Sequence, residues 1–257
     1  EQKVNKNLVE KFKQDYGFGD ILSKLIISRN YDSSEIYGIN NKQKLTNIFK
    51  DDKDFQKASQ ILLKAINNNE NICILGDYDV DGACATSLLV RYFNHINQKH
   101  FFYIPDRTED GYGASKKLFQ KLILKKPKLI IMVDCGSTAN EAIDYLNKHK
   151  INSIIIDHHE INKPYPRSNV IINPKKEYIK KENSFLCATA ITYFFIETIN
   201  QKNKSNFKIS SFLIYVLLAT ICDVMPLRKI NKIIAQNTIN NFNIKNHIAL
   251  NYIFDQY

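Results

Sequence analysis

Aspartates and histidines gather at four places in this sequence, and at each they follow a run of apolar residues. Asp77, Asp79 and Asp81 alternate in GDYDVDG after NICIL, Asp134 closes LIIMVD, Asp157, His158 and His159 follow SIII, and Asp223 follows ATIC. Taken singly, an aspartate after a strand is an ordinary turn or cap residue, and a His-His pair is ordinary surface or packing. Brought together, several carboxylates cannot all stay ionised without cations. Carboxylates with one or two imidazoles and no cysteine favour Mn²⁺ or Mg²⁺ over structural zinc. Their number suffices for two ions sharing a bridging carboxylate. The string Asp77-x-Asp79-x-Asp81-Gly82 also opens like a calcium-binding EF-hand loop. It fails at the last ligand position, where Leu88 stands in place of a bidentate glutamate, and a strand rather than a helix leads in.

Three further segments could meet an anion. Arg107, in IPDRTEDGYGAS, could clamp a phosphate in bidentate fashion or pair with Glu109 or Asp110, and Gly111-Tyr112-Gly113 makes a tight bend behind it. Gly136 and Ser137, in Cys135-Gly136-Ser137-Thr138, offer backbone N–H groups at a helix start, either as an anion seat or as a plain cap. The Gly82-Ala83 step fits a close turn that lets a helix begin beside a phosphate.

The elements that must position these groups alternate. Asn71–Leu75, Phe101–Ile104, Leu129–Val133, Ser153–Ile156 and Val170–Ile172 read as strands rich in Ile and Val, and Ala83–His95, Ala114–Leu124 and Thr138–His149 as helices between them. Such alternation predicts an α/β fold: a parallel sheet of about five strands flanked by helices, with right-handed crossovers. Apolar helices near Ser184–Asn200 and Ser210–Cys222 complete the layers, and residues 1–69 form an N-terminal helical extension whose last helix carries Phe55, Ala58, Ile61, Leu62 and Ala65 on one face. Ligands of open parallel sheets bind beyond the carboxyl ends of the strands, which is where the acids and histidines fall.

Composition narrows the class. Neither the chain nor its first residues hold an apolar run long enough for a membrane span or a signal peptide, so a soluble cytoplasmic protein with no membrane partner is expected. Five scattered cysteines without a Cys-x-x-Cys pair suit reduced thiols. The net charge of +10 suits a polyanionic partner, although only five of the 36 basic residues are arginine and the Lys, Asn and Ile bias of A/T-rich coding gives the same excess.

GDYDVDGACATSLL, IPDRTEDGYGAS, VDCGSTA, DHHE and ATICDVMPL occur in the order and spacing of the DHH phosphoesterases, and Ile72 to Leu227 most resemble the catalytic core of their single-strand-specific exonuclease branch, RecJ. The resemblance implies a DHH catalytic domain over residues 70–228, after the helical segment 1–69. Residues 229–257 then read as a C-terminal helix beginning a linker to absent substrate and OB domains. It also implies a two-ion Mn²⁺ or Mg²⁺ site with Asp77, Asp79, Asp81, Asp134, His158 and Asp223 as ligands, Asp134 bridging. His159 and Arg107 would then contact the phosphate and the strand, Gly136 and Ser137 would help seat it, and Asp157 would orient a histidine. The activity implied is release of 5′-mononucleotides from single-stranded DNA in repair or recombination, alongside repair or replication proteins. The same site on a small-substrate relative would cleave short oligonucleotides, nucleotide bisphosphates or cyclic dinucleotides. A scaffold that had lost catalysis would lack ligands, and none is missing here. Leu75 departs from the histidine many relatives carry before the first glycine, and RKINKIIAQNTI departs from the usual Asn-Arg helix start.

Overall fold

A computed structural model describes residues 4–111, 113–176 and 184–255, so Tyr112 of the expected bend and the last two residues of the expected C-terminal helix lie outside the described residues. Contacts divide the chain into two compact units, Glu1–Lys44 and Leu45–Tyr257. The smaller holds α1 (Lys6–Tyr16), α2 (Asp20–Ser28) and α3 (Ser33–Asn40), around Phe18, Ile26 and Ile36. Its ends are written in the sequence: Asn5 caps α1, Gly17 leaves it in a left-handed conformation, and Asp32 with Glu35 forms a capping box on α3.

The larger unit opens with α4 (Lys53–Asn67). The sequence reading groups α4 with the N-terminal segment, yet Phe55, Ala58, Leu62 and Ala65 are buried in the larger unit's core. After it come β1 (Ile72–Leu75), α5 (Val80–His95), β2 (His100–Tyr103), α6 (Lys116–Leu122), β3 (Leu129–Val133), α7 (Asn140–Lys148), β4 (Asn152–Ile156) and β5 (Val170–Ile172). Four helices close the unit: α8 (Ala188–Lys202), α9 (Leu213–Cys222), α10 (Lys229–Asn241) and α11 (Ile248–Phe254).

The five strands are parallel, in the order β2-β1-β3-β4-β5. Side chains alternate between two cores. Ile72, Ile74, Leu129, Ile131, Val133, Ile154 and Ile156 meet α4, α5, α8 and α9 on one face, while Cys73, Leu75, Ile130, Met132 and Ile155 meet α6 and α7 on the other. Because both faces are covered, β3 is apolar at every position and the run LIIMV shows no polar alternation. Each large aliphatic side chain so buried contributes about 1.5–3 kcal/mol, enough to fix the register of the loops that follow. From β1 the chain runs to β2 on one side and later to β3 on the other, so the order reverses beside β1 and opens a crevice at the carboxyl ends of β1 and β3.

The C-terminal segment departs from the single expected helix. It breaks after Asn241, where Phe242 is extended, and restarts at Ile248. Asn240, Asn241 and Asn243 are poor helix formers, and the Asn243 side chain accepts the Lys245 N–H instead of continuing the helix. No described helix is long and apolar enough to cross a membrane.

Candidate metal centre

From Leu75 the chain passes in four residues to the start of α5. Asp79 caps α5, accepting the Gly82 N–H at 2.9 Å, and Asp77 accepts the Tyr78 N–H at 2.8 Å. The turn is so close that a Cβ on Gly82 would lie 2.6 Å from the backbone N and O of Asp77, so only glycine fits. This strand-to-helix turn presents three alternating aspartates and leaves no room for an EF-hand loop. Asp81, buried in the first turn of α5, accepts the Ala188 N–H at 2.6 Å and the Thr189 N–H at 2.8 Å. Those are the first N–H groups of α8, whose dipole favours a carboxylate there.

Asp134 is the first residue beyond β3 and adopts φ 61°, uncommon for a residue with a Cβ. Its N–H donates to Ile156 at 2.9 Å, extending the β3–β4 ladder into the site. Such a conformation costs about 1–3 kcal/mol and persists where surrounding structure imposes it.

Past β4, Asp157 collects donors. Its Oδ2 accepts the Ser137 N–H at 2.9 Å, and its Oδ1 accepts the His158 and His159 N–H groups at 2.8 and 3.2 Å and lies 2.8 Å from His159 Nδ1. Burial alone would raise the Asp157 pKa, but the bonds from His159 and Ser137 outweigh it and hold the carboxyl below its usual range. The same bond to Asp157 raises His159, against the opposing effect of burial.

These ends converge. Asp77, Asp79 and Asp134 form one set, Asp81, His158 and Asp223 a second, and Asp134, His158 and His159 a third, with one ligand atom from each residue lying within 4.8 Å of the others in its set. Nε2 of His158 stands 3.2 Å from Asp134, 3.4 Å from Asp223 and 3.6 Å from Asp81, so Asp134 and His158 join the sets. Both oxygens of Asp134, both ring nitrogens of His158 and Oδ2 of Asp223 are buried without a hydrogen-bond partner. Burial, then the charges of Asp81 and Asp79, push Asp134 up to about 11. Burial also raises Asp77 and Asp223. A carboxylate buried without donors is costly unless a cation meets it. Oxygen ligands with two imidazoles fit a hard divalent ion.

Not every expected residue faces this centre. Ser137 gives its N–H to Asp157, and its hydroxyl accepts from Asn173 Nδ2 at 2.8 Å, so it braces the site rather than seating an anion. Gly136, at φ 109°, packs where a Cβ would come within 3.2 Å of Met132 and 3.3 Å of Ile155. Helix α7 begins only at Asn140, so the expected anion seat at residues 135–138 is not a helix start. Arg107 forms no ion pair among the described residues. Asp110 is instead bound by Lys121 at 2.7 Å and the Tyr103 hydroxyl at 2.5 Å, and the guanidinium of Arg107 lies 5.6 Å from the centre of the Tyr78 ring. Leu75 is fully buried and offers no ligand atom.

Three supporting features escape the sequence reading. Tyr78 carries Arg107, Asn173 ties Ser137 to the His159 carbonyl at 2.9 Å, and the α8 N-terminus pins Asp81. Asn173 had a usable signal, since it follows VII directly and so stands at another strand's carboxyl end. The α8 contact joins residues more than a hundred positions apart and has no local signature.

The chain is similar to known proteins. The family model described as DHH family, N-terminal domain matches residues 71–221. The single-stranded-DNA-specific exonuclease RecJ of Bacillus subtilis is 24% identical over 251 residues, covering 97% of this chain and 31% of that protein. The Escherichia coli protein of the same name is 27% identical over 190 residues, covering 70% and 33%. The chain thus spans about a third of the length of these curated relatives. Among solved structures, exonuclease RecJ bound to manganese aligns with TM-score 0.64 and 24% identity, over 76% of this chain and 47% of that one. RecJ from Thermus thermophilus in complex with Mn²⁺ aligns with TM-score 0.72 and 19% identity, over 90% and 32%.

Proposed function

The chain belongs to the DHH family, and on that premise we propose that it is the core of a cytoplasmic, Mn²⁺- or Mg²⁺-dependent exonuclease that releases 5′-mononucleotides from single-stranded DNA in repair or recombination. The observation that carries the reading is the buried, unsatisfied donor set of Asp134, His158 and Asp223 at the carboxyl edge of the sheet. The relatives' names supply the substrate, single-stranded DNA, and their structures the metals.

Asp77, Asp79 and Asp134 would hold one ion and Asp81, His158 and Asp223 the other, with Asp134 facing both. Bound there, the ions would neutralise phosphoryl oxygens and make water acidic enough to act as a nucleophile near neutral pH. The remaining work falls to side chains. Asp157 holds His159 and favours its protonated form, giving a cationic hydrogen-bond donor for the charge that builds on the phosphate. Arg107, which makes no ion pair among the described residues, offers its guanidinium to the strand's backbone, and the Tyr78 ring fixes where it stands. Asp157 and Tyr78 are therefore positioning residues.

The test is end polarity. Mn²⁺-dependent release of labelled mononucleotide is expected from a 5′-labelled single strand, stopped by phosphorothioates at the 5′ end and indifferent to them at the 3′ end. Release that proceeds past a 5′ block, or that needs no divalent ion, contradicts the proposal.

A further inference from the structure

Beside the metal centre, α5 and the edge strand β2 enclose a groove of roughly 400 Å³, lined by Ser87, Val90, Arg91, Asn94, Phe102 and Ile104. Ser87, Val90, Arg91 and Asn94 recur at helical spacing and form one stripe along α5. Among the described residues β2 pairs only with β1, so Phe102 stands at the edge of the sheet, 53% exposed, in register with Ile74. A large aromatic left that bare on an edge strand is not packing a core.

Both elements that line the groove lead to the candidate metal centre. Ser87 lies seven residues beyond the first residue of α5, about 10 Å along the helix at 1.5 Å per residue. Ile104 follows β2 directly, and three residues later Arg107 meets Tyr78 between two of the metal-set aspartates. Two of the chain's five arginines, Arg91 and Arg107, thus border one path. Arg91 is held over the Phe212 ring at 5.4 Å, and among the described residues it makes no ion pair.

We propose that this groove binds a nucleobase of the substrate strand, stacked on Phe102, with Arg91 meeting the strand's phosphate and Ser87 and Asn94 facing the base edge. The proposal rests on the exonuclease reading and adds a binding site for the strand away from the metals. Charge complementarity favours nucleic acid over a protein segment: the guanidinium of Arg91 lines the groove and none of its lining residues is acidic. Stacking on an aromatic face accepts any base, as an enzyme that advances along a strand requires.

The experiment pairs two assays on the same full chain. Equilibrium binding of fluorescent single strands of roughly 12 nucleotides, in EDTA so that nothing is cleaved, is compared for wild type, Phe102→Ala and Phe102→Trp, with one abasic residue walked along the strand. Mn²⁺-dependent hydrolysis of a dinucleotide, too short to reach the groove, is measured alongside. Phe102→Ala is expected to weaken binding of the long strand by roughly 5- to 150-fold and Phe102→Trp to retain it. One abasic position should weaken wild type and have no effect on Phe102→Ala, while dinucleotide hydrolysis stays unchanged in both variants. Equal binding by wild type and Phe102→Ala overturns the proposal and leaves the groove to a protein partner, and retained dinucleotide hydrolysis then keeps the metal-site reading standing. A wild type that binds no strand overturns it too.

Discussion

Asp134→Asn should make the metal-free protein more stable while abolishing its response to metal. Burial and two neighbouring carboxylates raise Asp134 from 3.8 to about 11. A carboxyl whose folded pKa exceeds its unfolded one loses stability as pH rises through that interval, because unfolding releases a proton that folding retains. At pH 7, about three units above the unfolded value, the loss is on the order of 4 kcal/mol at 1.36 kcal/mol per unit. Protons shared with the neighbouring acids reduce this to about 2 kcal/mol. Asparagine keeps the shape, carries no charge and can donate to Asp79 or Asp81. For a chain of this size each kcal/mol moves the melting temperature by roughly 2–4 °C, so calorimetry in EDTA at pH 7 should show Asp134→Asn melting about 4–8 °C above wild type. Mn²⁺ at a hundredfold its Kd should then stabilise wild type by about 2.7 kcal/mol and leave the variant nearly unmoved. A variant that melts below wild type in EDTA, or gains as much from Mn²⁺, refutes the reasoning.

Other substitutions probe the surroundings. Arg107→Gln should lower kcat/KM on single strands by roughly 10- to 100-fold, the worth of a charge-assisted phosphate contact. Tyr78→Phe should change little and Tyr78→Leu should raise KM several-fold, which steady-state kinetics would separate; equal losses in both would remove the ring from the account. Asp157→Asn should lower the pH at which His159 gives up its proton, since the bond from Asp157 is what raises it. An NMR titration of the His159 ring reads this directly, and an unmoved midpoint would show that Asp157 does not tune it. Val224 occupies the left-handed position after α9 at φ 54°, with Val224 N–H on Ile221 and Met225 N–H on Thr220, and is 85% exposed. Val224→Gly should raise stability by about 1 kcal/mol in thermal denaturation, and a drop would mean that the valine is held by contacts of its own.

What the sequence made legible follows its physics. β1, β3, β4 and β5 announce themselves as Ile- and Val-rich runs because they are buried, and the half-exposed edge strand β2 shows only as the aromatic run FFY, yet all five were placed within a residue or so of their observed bounds. Once those ends are known, the open-sheet rule brings Asp77, Asp134 and His158 to one edge. Gly136 and Ser137 misled because a Gly-Ser-Thr stretch after a strand reads as a helix start. The helix in fact begins at Asn140, and the Ser137 N–H goes to an aspartate twenty residues away. The Arg107 alternatives could not be decided locally either, since Lys121 and Tyr103 take Asp110 from outside the motif. The inclusion of α4 in the larger unit, and the break at Phe242, depend on packing and on asparagine capping that a count of apolar spacing does not weigh.

Under the proposed function, the buried acid and imidazole set would make this chain a metal-dependent nuclease of single strands. The most direct test of this is Mn²⁺-dependent mononucleotide release from single-stranded DNA of graded length, with Asp134→Asn as the blank. Turnover is expected to need the ion, to disappear in the blank and to rise with length as the basic path gains phosphates. Turnover confined to the shortest substrates, or surviving in Asp134→Asn, would contradict the proposed function.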